Sequence, residues 1–145
     1  MKTEQQEQTI IRVVIADDHA VVRRSVRAML RDCTDLVVVG EASTGVEAVR
    51  LVEELNPDVL LLDMEMPGFN GLQVAEQLQA SHTDTRILVL SGYADRFFIQ
   101  AVLERGAKGY LTKDEAPDLI IQAIRGVAQR QEGWLSQRAR IALAV

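Results

Sequence analysis

Five polar residues stand at or beside the ends of short apolar runs. Asp17 and Asp18 follow residues 10–16 (IIRVVIA), Asp63 follows 59–62 (VLLL), Ser91 follows 87–90 (ILVL), and Lys113 follows Thr112 after 108–111 (KGYL). Such runs read as strands, and 59–62, apolar on both faces, reads as the middle of a parallel sheet. In open α/β sheets, ligands and chemistry gather outside the C-terminal strand ends. A carboxylate is costly to bury there unless something pairs with it. The same edge supplies an ammonium at Lys113 and a hydroxyl at Ser91. Each residue alone has an ordinary use: Asp17 and Asp18 as helix caps, Ser91 at a turn, Lys113 as a balance for surface acids. Together on one edge, they describe a site.

The elements that must position them alternate along the chain. Helix periodicity over 20–32 puts Val22, Val26, Met29 and Leu30 on one side, with Arg23, Arg24, Arg27 and Arg31 on much of the rest. A short strand at 36–39 runs into Gly40. Ser43 and Thr44 are candidate caps for a helix over 45–55. Residues 64–71 carry Pro-Gly and Asn-Gly turn signals, and a short helix covers 71–80. Asp95 is a candidate cap for a helix reaching Arg105, closed by Gly106. Asp114 and Glu115 suit the start of a last helix, with Pro117 in its first turn. Short connections between alternating strands and helices predict right-handed crossovers, with helices on both faces of one parallel sheet.

Composition narrows the function classes. With 145 residues, 48% of them hydrophobic, the chain has the material for one domain with a real core. Aromatics make up only 4%, so that core is aliphatic. A formal charge of −5 is no basic footprint for nucleic acid. A single cysteine, Cys33, excludes an internal disulfide framework. No apolar run is long enough to span a membrane, and residues 1–9 lack the apolar stretch of a secretory signal, so a cytoplasmic protein is expected.

The blocks IADDH, LLLDMEMPGFNG, LSG and GYLTKD, in this order over roughly residues 10–130, resemble those of bacterial response-regulator receiver domains. The likeness is to the branch whose DNA-binding members end in a LuxR-type helix-turn-helix. It implies a doubly wound α/β fold with a five-stranded parallel sheet of order 2-1-3-4-5 and helices on both faces. It also implies a phospho-accepting switch of a two-component system, in which a histidine kinase or phosphotransfer protein passes a phosphoryl group to Asp63. Asp18 and Asp63 would ligate one Mg²⁺, with Asp17 acting through water and the backbone carbonyl of Glu65 completing the protein ligands. Lys113 would bridge the acids at rest and a phosphoryl oxygen after transfer, and Ser91 would donate to another. Gly92 would leave access to the acceptor. Tyr110 would be the switch aromatic that turns inward as the hydroxyl residue moves. Met64, Glu65, Met66 and Tyr93 should border the pocket. His19 resembles the histidine common after the acid pair, but nothing in the sequence makes it a ligand.

The resemblance divides the chain into a frayed segment (1–9), a receiver (10–131) and a tail or linker opening (132–145). A DNA-binding output domain would need roughly 60 more residues. DNA binding is therefore expected only through a domain beyond these residues. The exposed arginines of the first helix are a candidate docking face for an acidic partner, and homodimers occur in the resembling branch. Two alternatives compete: a receiver-fold interaction module that works without phosphorylation, and a flavodoxin-like electron carrier. The second needs a phosphate-cradling loop after the first strand, where DDHAVV instead presents two negative charges.

Overall fold

The computed structural model describes residues 9–144; the segment expected to be frayed lies, apart from Thr9, outside them. The elements are β1 (Ile11–Ala16), α1 (Ala20–Arg31), β2 (Leu36–Ala42), α2 (Gly45–Leu55), β3 (Val59–Leu62), α3 (Gly71–Ala80), β4 (Arg86–Ser91), α4 (Arg96–Glu104), β5 (Gly109–Thr112), α5 (Pro117–Ala128), β6 (Trp134–Leu135) and α6 (Gln137–Ala144). The strands form one parallel sheet of order β2-β1-β3-β4-β5-β6.

Side chains alternate across a strand with a period of two, and that alternation builds a core on each face. Val13, Ile15, Val59 and Leu61 pack with Val26 and Leu30 of α1 and with Ile120, Ile124 and Val127 of α5. On the other face, Val14, Ala16, Leu60 and Leu62 pack with Val52 of α2, Val74 and Leu78 of α3, and Ile99 and Val102 of α4. All four residues of β3 are buried, as a strand covered on both faces must be.

Helix starts follow local chemistry. Thr44, not Ser43, caps α2 by accepting the Glu47 N–H at 3.2 Å. Asn70 and Gln73 form a reciprocal capping box at the start of α3. Asp95 accepts from the Phe98 N–H at 3.2 Å, and Gly106 follows α4 at φ 99°, a conformation open to glycine. Pro117 opens α5, where its missing N–H is harmless.

Two expectations are corrected. The strand predicted at 36–39 continues to Ala42, because Gly40 marks a bulge: the β1–β2 register slips between Val13 and Val14, and pairing resumes at Gly40. More consequentially, the sheet has six strands rather than five. Trp134–Leu135 pairs with Gly109 and Tyr110 of β5. Two glycines make room for it. A Cβ at Gly109 would lie 2.6 Å from the Trp134 carbonyl oxygen, and one at Gly126 would lie 2.4 Å from the indole Nε1. Two residues carry no readable period, so nothing local marks β6 in the sequence.

Beyond β6, Ala139 of α6 is buried in the same core as α4. The Ser136 N–H donates to the Tyr110 carbonyl at 3.1 Å. Gly109→Ala should therefore force Trp134 away from β5 and cost about 1–3 kcal/mol. Chemical denaturation would measure this, together with a red shift of the lone tryptophan's emission as it leaves the α5 surface. An unchanged midpoint and spectrum would contradict the pairing.

Candidate functional site

The C-terminal edge of the sheet is where β1, β3, β4 and β5 deliver their polar ends. Asp63 is held by its own backbone, whose N–H donates to the Ala16 carbonyl at 2.9 Å, and Asp17 by an N–H to the Ala42 carbonyl at 3.0 Å. Gly71 opens α3 against the loop that follows Asp63; a Cβ there would lie 2.8 Å from Met64 Cα. That close approach brings the first turn of α3 down beside the acid.

Asp17 and Asp63 are both 3% exposed, which is rare for carboxylates without partners. Lys113 is the shared partner: its Nζ lies 2.7 Å from Asp17 Oδ2 and 3.6 Å from Asp63 Oδ2. Its backbone is fixed by an N–H to the Ser91 carbonyl at 2.8 Å. Burial first, then the Asp17 carboxylate, pushes the Asp63 carboxyl up to about 6, against the pull of Lys113. One ammonium does not neutralise this many acids.

Among the described residues, Asp17, Asp18, His19 and Asp63 each offer a ligand atom, all within 4.8 Å of one another. His19 is thus drawn into the cluster more closely than its sequence position implied. Its Nδ1 lies 3.0 Å from Asp17 Oδ1 and 3.1 Å from Asp18 Oδ1, and its backbone N–H donates to Asp17 Oδ1 at 2.9 Å. Asp17 therefore anchors the loop before α1, and no side chain caps that helix.

Ser91 is fully buried, and its Oγ accepts the Tyr93 N–H at 3.3 Å. Tyr110, 1% exposed, points inward and donates its hydroxyl to the Tyr93 carbonyl at 2.7 Å. Burial pushes its phenol above the usual range, with the Ser91 hydroxyl opposing. Met64, Glu65, Ser91, Tyr93 and Tyr110 line a hollow of about 170 Å³ beside the acids, closed by Asn70, Leu72 and Phe98. Met66, expected on this rim, packs into the core instead. A Cβ at Gly92 would meet no atom within 4 Å, so the space beside Ser91 is open. The Glu65 backbone hydrogen-bonds the Asp63 carboxylate and lowers its affinity for a proton.

One contributor, Glu41, was not read from the sequence. Glu41 on β2 takes Arg23 Nε at 3.1 Å and Arg27 Nε at 2.6 Å. Burial pushes Glu41 up, but these two guanidinium groups outweigh it and hold the carboxyl below its usual range. Arg23 also donates to the Asp17 carbonyl at 2.6 Å, which braces the acid loop. Half of the basic face expected on α1 is thus spent inside the molecule. The available signal was an acid inside an otherwise apolar strand, VVVGEA.

A parallel sheet whose central strand ends in a buried carboxylate, flanked by an acid pair, a lysine and a hydroxyl, is the arrangement of the receiver class. Residues 13–125 match the response regulator receiver domain family, and the chain belongs to that family. It is 40% identical over 126 residues to the transcriptional regulatory protein DegU of Brevibacillus brevis, covering 87% of this chain and 53% of that protein. It is 38% identical over 116 residues to the nitrate/nitrite response regulator protein NarL of Escherichia coli K12, covering 80% and 54%. The crystal structure of a LuxR-family two-component response regulator from Aurantimonas sp. SI85-9A1 superposes with a TM-score of 0.87 at 29% identity, covering 94% of this chain and 96% of that one. The chain spans about half the length of the curated relatives it matches. No helix among the described residues is long and apolar enough to cross a membrane.

Proposed function

We propose that Asp63 is the phospho-acceptor of a two-component switch, charged by a sensor histidine kinase or a phosphotransfer protein. The observation that carries this is the single Lys113 ammonium reaching both Asp17 and Asp63 at a buried strand end. An Asp63 carboxylate oxygen forms the new bond to phosphorus, while the bond to the donor's imidazole nitrogen breaks and that nitrogen keeps the electron pair. Negative charge then gathers on the phosphoryl oxygens, so groups that meet it set the rate. Lys113 is placed to move from Asp63 to one such oxygen without leaving Asp17. The Ser91 hydroxyl accepts from the Tyr93 N–H, a role that leaves its own O–H to donate to another.

The site fits a hard divalent cation, because its donors are clustered carboxylate oxygens; burial first and the Asp17 charge second disfavour the ionised Asp63, and a cation would offset both. Mg²⁺ would be held by Asp18 and Asp63, by Asp17 through water and by the Glu65 carbonyl, and when bound it supplies charge neutralisation for the transferring group. On transfer, movement of Ser91 would release Tyr93 and alter the Tyr110 hydroxyl's contact with the Tyr93 carbonyl, passing the change to α4 and β5. Residues 10–131 act as the receiver, with 132–145 leading toward any output domain. The chain works in the cytoplasm and pairs as a homodimer, while transcriptional regulation and DNA contact would fall to an output domain outside these residues. Beryllofluoride with Mg²⁺ should shift the amide resonances of Asp63, Ser91, Tyr93, Tyr110 and Lys113 saturably. Without Mg²⁺ the same titration should do nothing; equal shifts in both arms would refute the proposal.

A further inference from the structure

The segment after α5 lies beyond residues 13–125, which match the receiver family, yet it is bound to the strand that leads into Lys113. Its grip follows the end of β5. The Tyr110 carbonyl accepts the Ser136 N–H at 3.1 Å, the Thr112 and Ser136 hydroxyl oxygens lie 3.4 Å apart, and Asp114 Oδ2 lies 3.4 Å from Arg138 Nη1. Thr112 and Ser136 are both 0% exposed, so each hydroxyl serves the other rather than bulk water. Ser136 also starts α6, its Oγ accepting the Ala139 N–H at 3.3 Å. Ala139 is then buried with Ile99 and Val102 of α4 and with Tyr110. Across the sheet, Thr112 is the register partner of Ser91, whose carbonyl holds the Lys113 N–H at 2.8 Å. Buried hydroxyl residues thus stand side by side on β4, on β5 and at the start of α6, beginning at the acceptor edge.

Two properties make this contact releasable. Helix α6 has eight residues, fewer than a helix needs to hold its shape alone in water, so its fold depends on what it lies against. Its ion pair with Asp114 joins two exposed side chains and holds weakly, so docking rests on the buried contacts at Ser136 and Ala139. Those contacts fit β5 as it stands with Lys113 Nζ 2.7 Å from Asp17 and 3.6 Å from Asp63. A residue drawn toward a phosphoryl group carries its strand neighbours with it, because packed interfaces hold discrete arrangements and do not stretch. Taking Asp63 as the acceptor, a reading on which this rests, we propose that β6 and α6 form an autoinhibitory clasp. Docked on β5 and α4 while Asp63 is unmodified, they resist the advance of Lys113, and they are released when the acceptor is charged. Release and charging are two sides of one coupling, so whatever loosens the clasp favours the charged state by the same factor.

The test uses the full chain in Mg²⁺, with and without beryllofluoride, followed by amide hydrogen exchange and by NMR shifts at Asp63. The N–H groups of Ala139 and Arg140 close the first turn of α6 on Ser136. Beryllofluoride should speed their exchange about fivefold or more while leaving Val59–Leu62 of β3 unchanged. In reverse, Ala139→Asp forces a carboxylate into the core and should detach α6, and beryllofluoride should then bind about fivefold tighter or more. Ser136→Ala, which keeps the packing, should tighten binding in the same direction and carries this arm if Ala139→Asp does not fold. A purely structural segment would lower stability in both variants without raising affinity. Saturable shifts at Asp63 with unchanged exchange in α6, or with affinity unchanged or weakened in the folded variants, would overturn the clasp and leave the acceptor standing. No binding at Asp63 would overturn the acceptor, and the clasp with it.

Discussion

Asp63→Asn should make the metal-free protein more stable at pH 8, by about 3 kcal/mol, the equivalent of holding a carboxyl at about 6 instead of 3.8. The sign follows from linkage. The folded-state pKa of Asp63 lies above its unfolded value, so the folded chain holds this proton more tightly. Ionisation therefore destabilises the fold: the penalty is absent below about 3.8, grows through the window up to about 6, and is complete above it. Asparagine keeps the shape and removes the charge, while Lys113 keeps Asp17 at 2.7 Å. The gain should thus vanish as the pH falls toward 4. Mg²⁺ should stabilise the wild type and narrow the difference, since a ligand that binds only the folded state adds to its stability. Urea denaturation of both proteins at pH 4, 6 and 8, with EDTA or Mg²⁺, reads all of this. A variant less stable than wild type at pH 8 in EDTA would show that the carboxylate is not under charge strain.

Asp18→Ala is expected to have the largest effect on activity among changes that spare the acceptor. Asp18 is the more exposed member of the acid pair, its side chain 32% accessible, so little packing is lost on truncation. What goes is a carboxylate from a cluster whose ligand atoms lie within 4.8 Å of one another. Mg²⁺ affinity should fall about tenfold or more, and phosphorylation by a small donor should slow roughly a hundredfold, comparable to losing one preorganised charge-stabilising group. Fluorescence or calorimetric titration gives the first number and the time course of labelling gives the second. Unchanged metal binding would remove Asp18 from the site.

The site was legible because the chemistry sits where the pattern changes. A run such as VLLL is unmistakable, and an acid directly after it stands at a strand end whatever the topology. The strand-end positions of Asp17, Asp63, Ser91 and Lys113 follow in this way, without any knowledge of distances. That of His19 does not, because its approach to both acids depends on how the loop turns before α1, a feature of backbone angles that no residue type announces. Glu41 with Arg23 and Arg27 was missed for a different reason: the contact joins β2 to α1, and pattern within one element does not report on another. The five long strands and helices α1 to α5 follow from periodicity and caps. The sixth strand does not, because its pairing depends on the missing side chains of Gly109 and Gly126, which lie in other elements.

The most direct test of the acceptor assignment is intact-mass analysis after incubation with acetyl phosphate. Wild-type protein with Mg²⁺ should gain one phosphoryl group, labile as an acyl phosphate must be, and should gain none in EDTA. Asp63→Asn, still folded by the stability measurement above, should gain none under any condition. Equal labelling of the two proteins, or no labelling of the wild type with donor and metal in excess, would contradict the assignment and favour a receiver-fold module that works by contact alone.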